Sequence, residues 1–545
     1  MRNGQKVAVI AGVFVVMATG AGFGAYSMLS GDGDDGGQQN ASSTSDAEPE
    51  ESAPPSAAEV LEVSGDFLDA WAAGDTDGAA ALTDDAGSAA QALAALAEDA
   101  SVSGFTLSAG APEGGSVPFG VVANIAYEEL PEREWSYDSE LTVVRDADSG
   151  EIVVDWEPSV LYPGLAEGQH IETGPSGELP PVTVLDAEGG ELTAQAHPTL
   201  KGVLEDIGER FADHSGASPA VVTRITDAEG GTVEELIELA EPVAGEVPTT
   251  IVPAIQAAAE AAVADKDRAA VVAIQPSTGA IQGVANAPAD SFDIALQGSY
   301  APGSTFKIVT ASLLIDEGLA SAGAKHPCPK YFEHGGWKFQ NLDKFEIKDG
   351  TFADSFAASC NTAFISQAGE LSDEALGDHA RDAFGLGLTW SVGVSTLDGA
   401  VPTQSLAQMA ASLIGQGGVR MNPMTMASVS ATVKSGTFKQ PYLVPAEIGG
   451  RELATAAGPS AATAAELRSL MNRTAVNGTA AEAMAGLSGD IGAKTGSAEV
   501  DGQDKPNAWF TGYRNDLAVA AVVPDSGHGG SNAGPVVAQV LSAAP

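Results

Sequence analysis

Pro302-Gly303-Ser304-Thr305-Phe306-Lys307 leads directly into the largely apolar run Ile308–Leu314. Gly-Ser ahead of such a run predicts a helix start. Ser304 and Lys307 then fall three residues apart on one face, near the helix N-terminus. That spacing has a chemical use. A serine hydroxyl is a poor nucleophile until a neighbour takes its proton, and a lysine does so when burial and nearby positive charge lower its pKa. The positive end of the helix favours a developing oxyanion. Surface serines and lysines also meet at this spacing by chance, but two details set this pair apart. Lys307 is the only lysine in the chain with a serine three positions before it, and its flanks are mostly apolar, as a desolvated amine requires.

Ser359-Cys360-Asn361 follows 55 residues after Ser304. A second hydroxyl can relay a proton between the lysine and a leaving amine, and an amide side chain can hold a substrate carbonyl. In isolation the triplet reads as a helix cap or a loop. Lys494-Thr495-Gly496-Ser497-Ala498-Glu499 lies another 135 residues on. A lysine beside hydroxyls on a strand makes a carboxylate-binding edge, and Gly496, without a side chain, lets a peptide lie flat against the backbone. Lys434-Ser435-Gly436 is a rival for this third place. It is expected to be a hairpin turn, whereas Lys494 leads into long closing strands. Cys360 has no histidine in a recognisable partner position, so it is not the expected nucleophile. Whether it pairs with Cys328 stays open from sequence.

These residues need elements to hold them. Ala270–Gln275 and Ala280–Ala285 are expected strands joined by a Pro-Ser-Thr-Gly turn, and Asn507–Tyr513 pairs with Leu517–Val523 around Arg514-Asn515-Asp516. The Lys494 motif therefore opens an antiparallel sheet, and residues 266–545 form one domain. Residues 158–265 carry short apolar pieces (Val182–Leu185, Ala220–Ile225) and an Ala-rich helix at Val252–Ala264, expected as a pedestal or dimerisation-like unit. Residues 57–157 are a small mixed domain. Its helix, Ala58–Ala73, places Val60, Leu61, Phe67, Leu68 and Trp71 near helical spacing, and strands follow at Val121–Tyr127, Glu140–Val144 and Glu151–Trp156. The fold class is multidomain α+β.

Residues 30–56, rich in Gly, Ser, Asp, Glu and Pro, form a tether. Residues 7–29 are uncharged behind Arg2 and Lys6. At 1.5 Å per residue they reach about 34 Å, enough for a membrane anchor, with residues 1–6 cytoplasmic and the remainder outside. A cleaved signal peptide is the alternative, although a signal core is shorter, about 7–15 residues. The net charge of −49 argues against nucleic-acid partners. Two cysteines and seven histidines without a His-x-x-x-His pair argue against a metal centre, and no cofactor is expected.

Ser-x-x-Lys, Ser-x-Asn and Lys-Thr-Gly in this order resemble the penicillin-recognising serine acyl-transferases, the penicillin-binding proteins and serine β-lactamases. Longer phrases are similar to the transpeptidase domain of class B penicillin-binding proteins: YAPGSTFK at 300–307, SCNTAF at 359–364, GTA at 478–480, KTGSAE at 494–499 and AWFTGY at 508–513. More loosely, residues 57–157 with WEPSVLYPGL at 156–165 resemble the nuclear-transport-factor-like N-terminal domain of the MecA-type subgroup. Ser497 stands where threonine is commoner, keeping a hydroxyl. The family's paired polymerase domain has no room ahead of residue 269.

The resemblance implies a nucleophile in Ser304, a general base in Lys307, a proton relay in Ser359 and a donor-peptide anchor in Asn361. Lys494, Thr495 and Ser497 would bind the terminal carboxylate of a D-alanyl-D-alanine stem or of a β-lactam, with Gly496 beside them. Backbone N–H groups of Ser304 and Ser497 would form the oxyanion hole. It also implies peptidoglycan stem peptides as substrates and a glycan polymerase in the membrane as partner. Three alternatives are a β-lactamase, a D,D-carboxypeptidase and a non-catalytic penicillin or muropeptide sensor. The first lacks a Glu-x-x-x-Asn loop between Asn361 and Lys494, and the last has no output domain in a six-residue tail.

Overall fold

The structure, a computed structural model, describes residues 53–544. The expected anchor at 7–29, the tail before it and nearly all of the tether lie outside the described residues. Among the described residues no helix is long and apolar enough to cross a membrane.

The first unit begins with α1 (Ala57–Ala72), started by a capping box between Ser56 and Glu59. Two further helices, α2 (Thr76–Ala80) and α3 (Ala86–Asp99), precede a four-stranded antiparallel sheet of β1 (Val102–Ala109), β2 (Ser116–Ile125), β3 (Arg133–Arg145) and β4 (Ile152–Asp155), in that order. Strict alternation turns Val117, Phe119, Val121, Ala123 and Ile125 of β2 inward. Trp71 meets the rings of Phe67, Phe105 and Phe119 there and is a core residue.

Residues 158–265 divide among three cores. They contain β5 (His170–Ser176), β6 (Thr183–Leu185), α4 (Lys201–Phe211), β7 (Ala220–Thr226), β8 (Thr232–Ala240), β9 (Glu246–Pro248) and α5 (Pro253–Val263). The β5-β7-β8 sheet sends Ile171, Ile225 and Leu239 into the same core as Trp71. By contrast β6, β9 and α4 contribute Val184, Val247, Ile207 and Phe211 to a core continuous with the C-terminal part. Helix α5 lays Ile255, Ala259 and Val263 on the C-terminal sheet itself. The expected break at 265/266 therefore runs through a packed core. An Ala-rich helix followed by a short turn looks like a linker, but its small side chains let it sit close on a sheet.

The C-terminal part opens with β10 (Ala269–Ile274), β11 (Ile281–Ala287) and α6 (Ile294–Gln297). After α7 (Lys307–Asp316) come the hairpin β12 (Tyr331–His334) and β13 (Trp337–Gln340), then α8 (Phe352–Ala357), α9 (Thr362–Ile365), α10 (Ala375–Phe384), α11 (Leu406–Ser412), α12 (Pro423–Ser435) and α13 (Ala461–Asn477). The last elements are β14 (Ile491–Ala498), β15 (Asn507–Arg514), β16 (Leu517–Val523) and α14 (Gly529–Ser542). Five strands form one antiparallel sheet, ordered β11-β10-β16-β15-β14. Along β10, Ala270, Val272 and Ile274 face one core, while Ala269, Val271 and Ala273 face the other. Helices α5 and α14 cover the second face and α12 the first, which is why these strands are apolar without alternation. Helix α7 is buried from Lys307 to Leu314 and is the central helix of the larger core.

The Lys434-Ser435-Gly436 triplet is not a hairpin turn. It ends α12, with Gly436 as the left-handed C-cap at φ 81°. Every residue from Pro423 to Val433 is buried, so no amphipathic period marked the helix. Lys434 pairs with Asp490.

Candidate active site

Three chain segments converge at the edge strand β14. Ser304 lies on a tight 3-10 turn, Gly303–Phe306, that runs into α7, so the regular helix starts at Lys307, one turn later than the sequence predicts. Gly303 has φ 54°, and a Cβ there would stand 2.6 Å from the Ser497 carbonyl oxygen. Only glycine brings this turn so close to β14. Gly496 answers from the strand, where a Cβ would meet the Pro302 carbonyl oxygen at 2.9 Å. Packing of the Ser304 turn, and not just approach of a peptide, requires glycine at 496.

Lys307 is wholly buried, and its Nζ donates to the Ser359 carbonyl oxygen at 2.8 Å and to Asn361 Oδ1 at 2.7 Å. Ser359 Oγ lies 3.5 Å from the same nitrogen. Among the described residues Lys307 makes no hydrogen bond to Ser304 Oγ; free enzymes often close such contacts only when substrate is bound. Burial, and then the positive charge of Lys494, hold the Lys307 amine well below its ordinary value of 10.5. A neutral amine has two N–H groups and one lone pair. Both N–H groups are taken by carbonyl oxygens here, so the lone pair is left to accept a hydroxyl proton.

Lys494 is equally buried and donates to Ser359 Oγ at 3.0 Å and to the Thr495 carbonyl oxygen at 2.9 Å. Burial pushes its amine down to about 7. Ser359 Oγ thus stands between two lysines. Phenylalanine rings line the pocket, with Phe364 centred 5.4 Å from Lys307 Nζ and Phe356 5.7 Å from Lys494 Nζ. Thr495 Oγ1 shares a 2.7 Å hydrogen bond with Thr479 Oγ1, which brings Gly478-Thr479-Ala480 beside the strand. Ser497 Oγ accepts from the Gly529 N–H at 3.3 Å.

Ser359 holds a left-handed backbone at φ 58°, a conformation that costs a non-glycine residue about 1–3 kcal/mol and persists only where neighbours over-determine it. Two neighbours do so. Cys360 forms a disulfide with Cys328. Asn341, 1% exposed, accepts from the N–H groups of Asn361 at 2.8 Å and Thr362 at 3.1 Å through Oδ1, and donates to the Pro329 and Phe345 carbonyl oxygens. Asn361 completes the arrangement by donating from Nδ2 to the Gln340 carbonyl oxygen at 3.1 Å. Neither Asn341 nor Thr479 was assigned a role from the sequence. Nothing in the spacing of Asn341 distinguishes it from a loop asparagine, whereas Thr479 sits in the quoted GTA. Among the described residues no group of three or more His, Cys, Asp or Glu side chains could hold a metal ion.

An antiparallel sheet clad by helices on both faces, with serine, two buried lysines and an asparagine gathered at its edge strand, defines the penicillin-recognising class of serine acyl-transferase fold. The chain belongs to the penicillin binding protein transpeptidase domain family, whose model matches residues 269–542. A second model, the NTF2-like N-terminal transpeptidase domain, matches residues 60–169. Among curated proteins, the peptidoglycan D,D-transpeptidase PbpA of Mycolicibacterium smegmatis is 29% identical over 367 residues, which are 56% of this chain and 73% of that one. PbpA of Mycobacterium tuberculosis is 29% identical over 372 residues, with the same coverage. The D,D-transpeptidase domain structure from Eggerthella lenta superposes with a TM-score of 0.52 at 23% identity, covering 67% of this chain and 97% of that one. Pseudomonas aeruginosa PBP2 in complex with WCK 5153 gives 0.54 at 22%, covering 67% and 96%. These two structures carry the likeness of fold.

Proposed function

We propose that the protein is a serine D,D-transpeptidase that cross-links peptidoglycan stem peptides and is acylated by β-lactams. Family membership and the two PbpA relatives support the reaction class. The observation that carries it to this site is the buried Lys307 amine, held below its ordinary pKa with both N–H groups engaged.

In this reading Ser304 attacks the carbonyl of the penultimate D-alanine, and Lys307 accepts the hydroxyl proton. Ser359, between the two lysines, passes a proton to the departing D-alanine amine. Asn361 anchors the donor peptide, and Lys494, Thr495 and Ser497 take its terminal carboxylate. As the edge strand, β14 offers unpaired backbone donors, so the N–H groups of Ser497 and Ser304 suit an oxyanion. An amine on a neighbouring stem then attacks the acyl-serine, which releases Ser304 and leaves the cross-link.

The N-terminal hydrophobic run supports attachment to the cell membrane with residues 57–545 outside, and two solved relatives of fold support a partner. One belongs to a peptidoglycan synthase complex that coordinates polymerization and crosslinking, and the other is Helicobacter pylori PBP2 bound to MreC. A membrane glycan polymerase is the partner this reading assigns.

The test is intact-mass spectrometry after incubation with benzylpenicillin, followed by a pentapeptide donor and an acceptor amine. A stable penicilloyl adduct on Ser304, absent in Ser304→Ala, together with cross-linked product is expected. An adduct that hydrolyses within seconds marks a β-lactamase, and acylation without product a sensor.

A further inference from the structure

In a chain with 74 acidic and 25 basic residues, the stretch 325–348 is unusual: Lys325, Lys330, Lys338, Lys344 and Lys348 stand against only Glu333, Asp343 and Glu346. The β12–β13 hairpin occupies its middle. Lys325 is paired with Asp349 and Lys348 with Glu346. Among the described residues Lys330 and Lys338 have no carboxylate partner, and both lie over Tyr331, with Nζ atoms 5.9 and 4.3 Å from its ring centre.

Cross-strand register puts Tyr331 opposite Gln340, and Glu333 opposite Lys338. Because side chains alternate, Tyr331, Glu333, Lys338 and Gln340 share one face, with Glu333 the one carboxylate among them. The Gln340 carbonyl oxygen holds Asn361 Nδ2, so the end of this strand adjoins the donor anchor of the transpeptidase reading. The hairpin is fixed at both ends. At its root Asn341 grips the Asn361 turn, and at its tip a Cβ on Gly335 would lie 2.2 Å from the Ala407 amide nitrogen. Trp337 nevertheless remains 51% exposed on this seated element, as does Leu406 of α11, at 66%, beside its tip.

From these observations we infer a substrate subsite: the Tyr331–Lys338–Lys330 platform binds a carboxylate on the donor peptide, upstream of the reacting carbonyl. The inference rests on the transpeptidase reading. Charge selects the occupant, since an anion meets an otherwise repelling surface and finds here two cations without an ion pair against the single carboxylate of Glu333. Reach selects the position. Lys338 is two strand residues from Gln340, about 7 Å, which matches a carboxylate two residues upstream in an extended peptide. In a stem peptide that residue is D-glutamate, and the aromatic faces would cover its methylene groups.

The experiment uses the full chain and two soluble pentapeptides, one with γ-linked D-glutamate at its second position and one with isoglutamine there. Lys330→Glu with Lys338→Glu should raise KM for the glutamate peptide about ten-fold, since two attracting charges become two repelling ones. KM for the isoglutamine peptide and the rate of benzylpenicillin acylation should stay within about two-fold. Lys330→Arg with Lys338→Arg should keep the wild-type KM. An equal rise on both peptides, an unchanged KM or an equal fall in penicillin acylation overturns the subsite. Failure of the unmodified protein to take penicillin at Ser304 overturns the transpeptidase reading instead.

Discussion

Lys307 and Lys494 illustrate what burial does to an ammonium group. Each sits where its charge is poorly solvated, so the amine gives up its proton more readily than in water. For Lys494 the value falls from 10.5 to about 7. Between those values the unfolded chain binds a proton that the folded chain lacks, so stability declines as pH drops from 10.5 toward 7. Lys494→Met removes that cost while keeping the volume. Its melting temperature should exceed the wild type's by about 2–4 °C at pH 7, for a gain near 1 kcal/mol, while penicillin acylation is lost. Calorimetry at pH 7 and pH 10 checks this. The gain should shrink at the higher pH, and one independent of pH contradicts the assignment.

The decisive element is the short turn between α8 and α9. Its residues face the lysines because Ser359 adopts a left-handed backbone, and that conformation is held from outside by Asn341 and the Cys328–Cys360 bridge. Asn341→Ala would strip two N–H groups of their acceptor, each costing about 1–3 kcal/mol when buried. Loss of register at Asn361 should slow penicillin acylation about ten- to a hundred-fold, the penalty of displacing a positioning group by roughly 1 Å. Stopped-flow labelling at a temperature where circular dichroism shows the variant folded is the measurement. An unchanged rate would show that the turn holds itself. The turn's sequence signal was strong for identity and silent about support. Ser-Cys-Asn is a recognisable triplet, but the side chain that positions it comes from the end of a hairpin twenty residues earlier.

At the scale of the molecule, the described residues are organised by three cores rather than by the units the composition marks. The Gly- and Pro-rich middle reads as one pedestal, yet its three-stranded sheet completes the N-terminal core and its last helix completes the core on one face of the C-terminal sheet. A chain beginning at residue 266 lacks α5 and exposes the sheet face that Ile255, Ala259 and Val263 cover. It should aggregate or bind a hydrophobic dye, whereas residues 57–545 should unfold cooperatively and bind none. A monodisperse, penicillin-reactive 266–545 would show that α14 alone protects that face.

The sequence by itself determined the candidate residues and much of the sheet. Ser304, Lys307, Ser359, Asn361 and Lys494 stood out as candidates because hydroxyl, amine and amide groups at these spacings have few other uses together, and the closing strands were legible because apolar runs end at clear turns. Tertiary structure decided what spacing cannot carry. Whether Cys328 reaches Cys360, whether Lys434 ends a helix or turns a hairpin, and which core receives α5 all depend on distance between segments far apart in the chain. The depressed lysines belong to the same kind. An amine loses its proton because of what surrounds it in space, and those surroundings are assembled only when the strand, the turn and the helix meet.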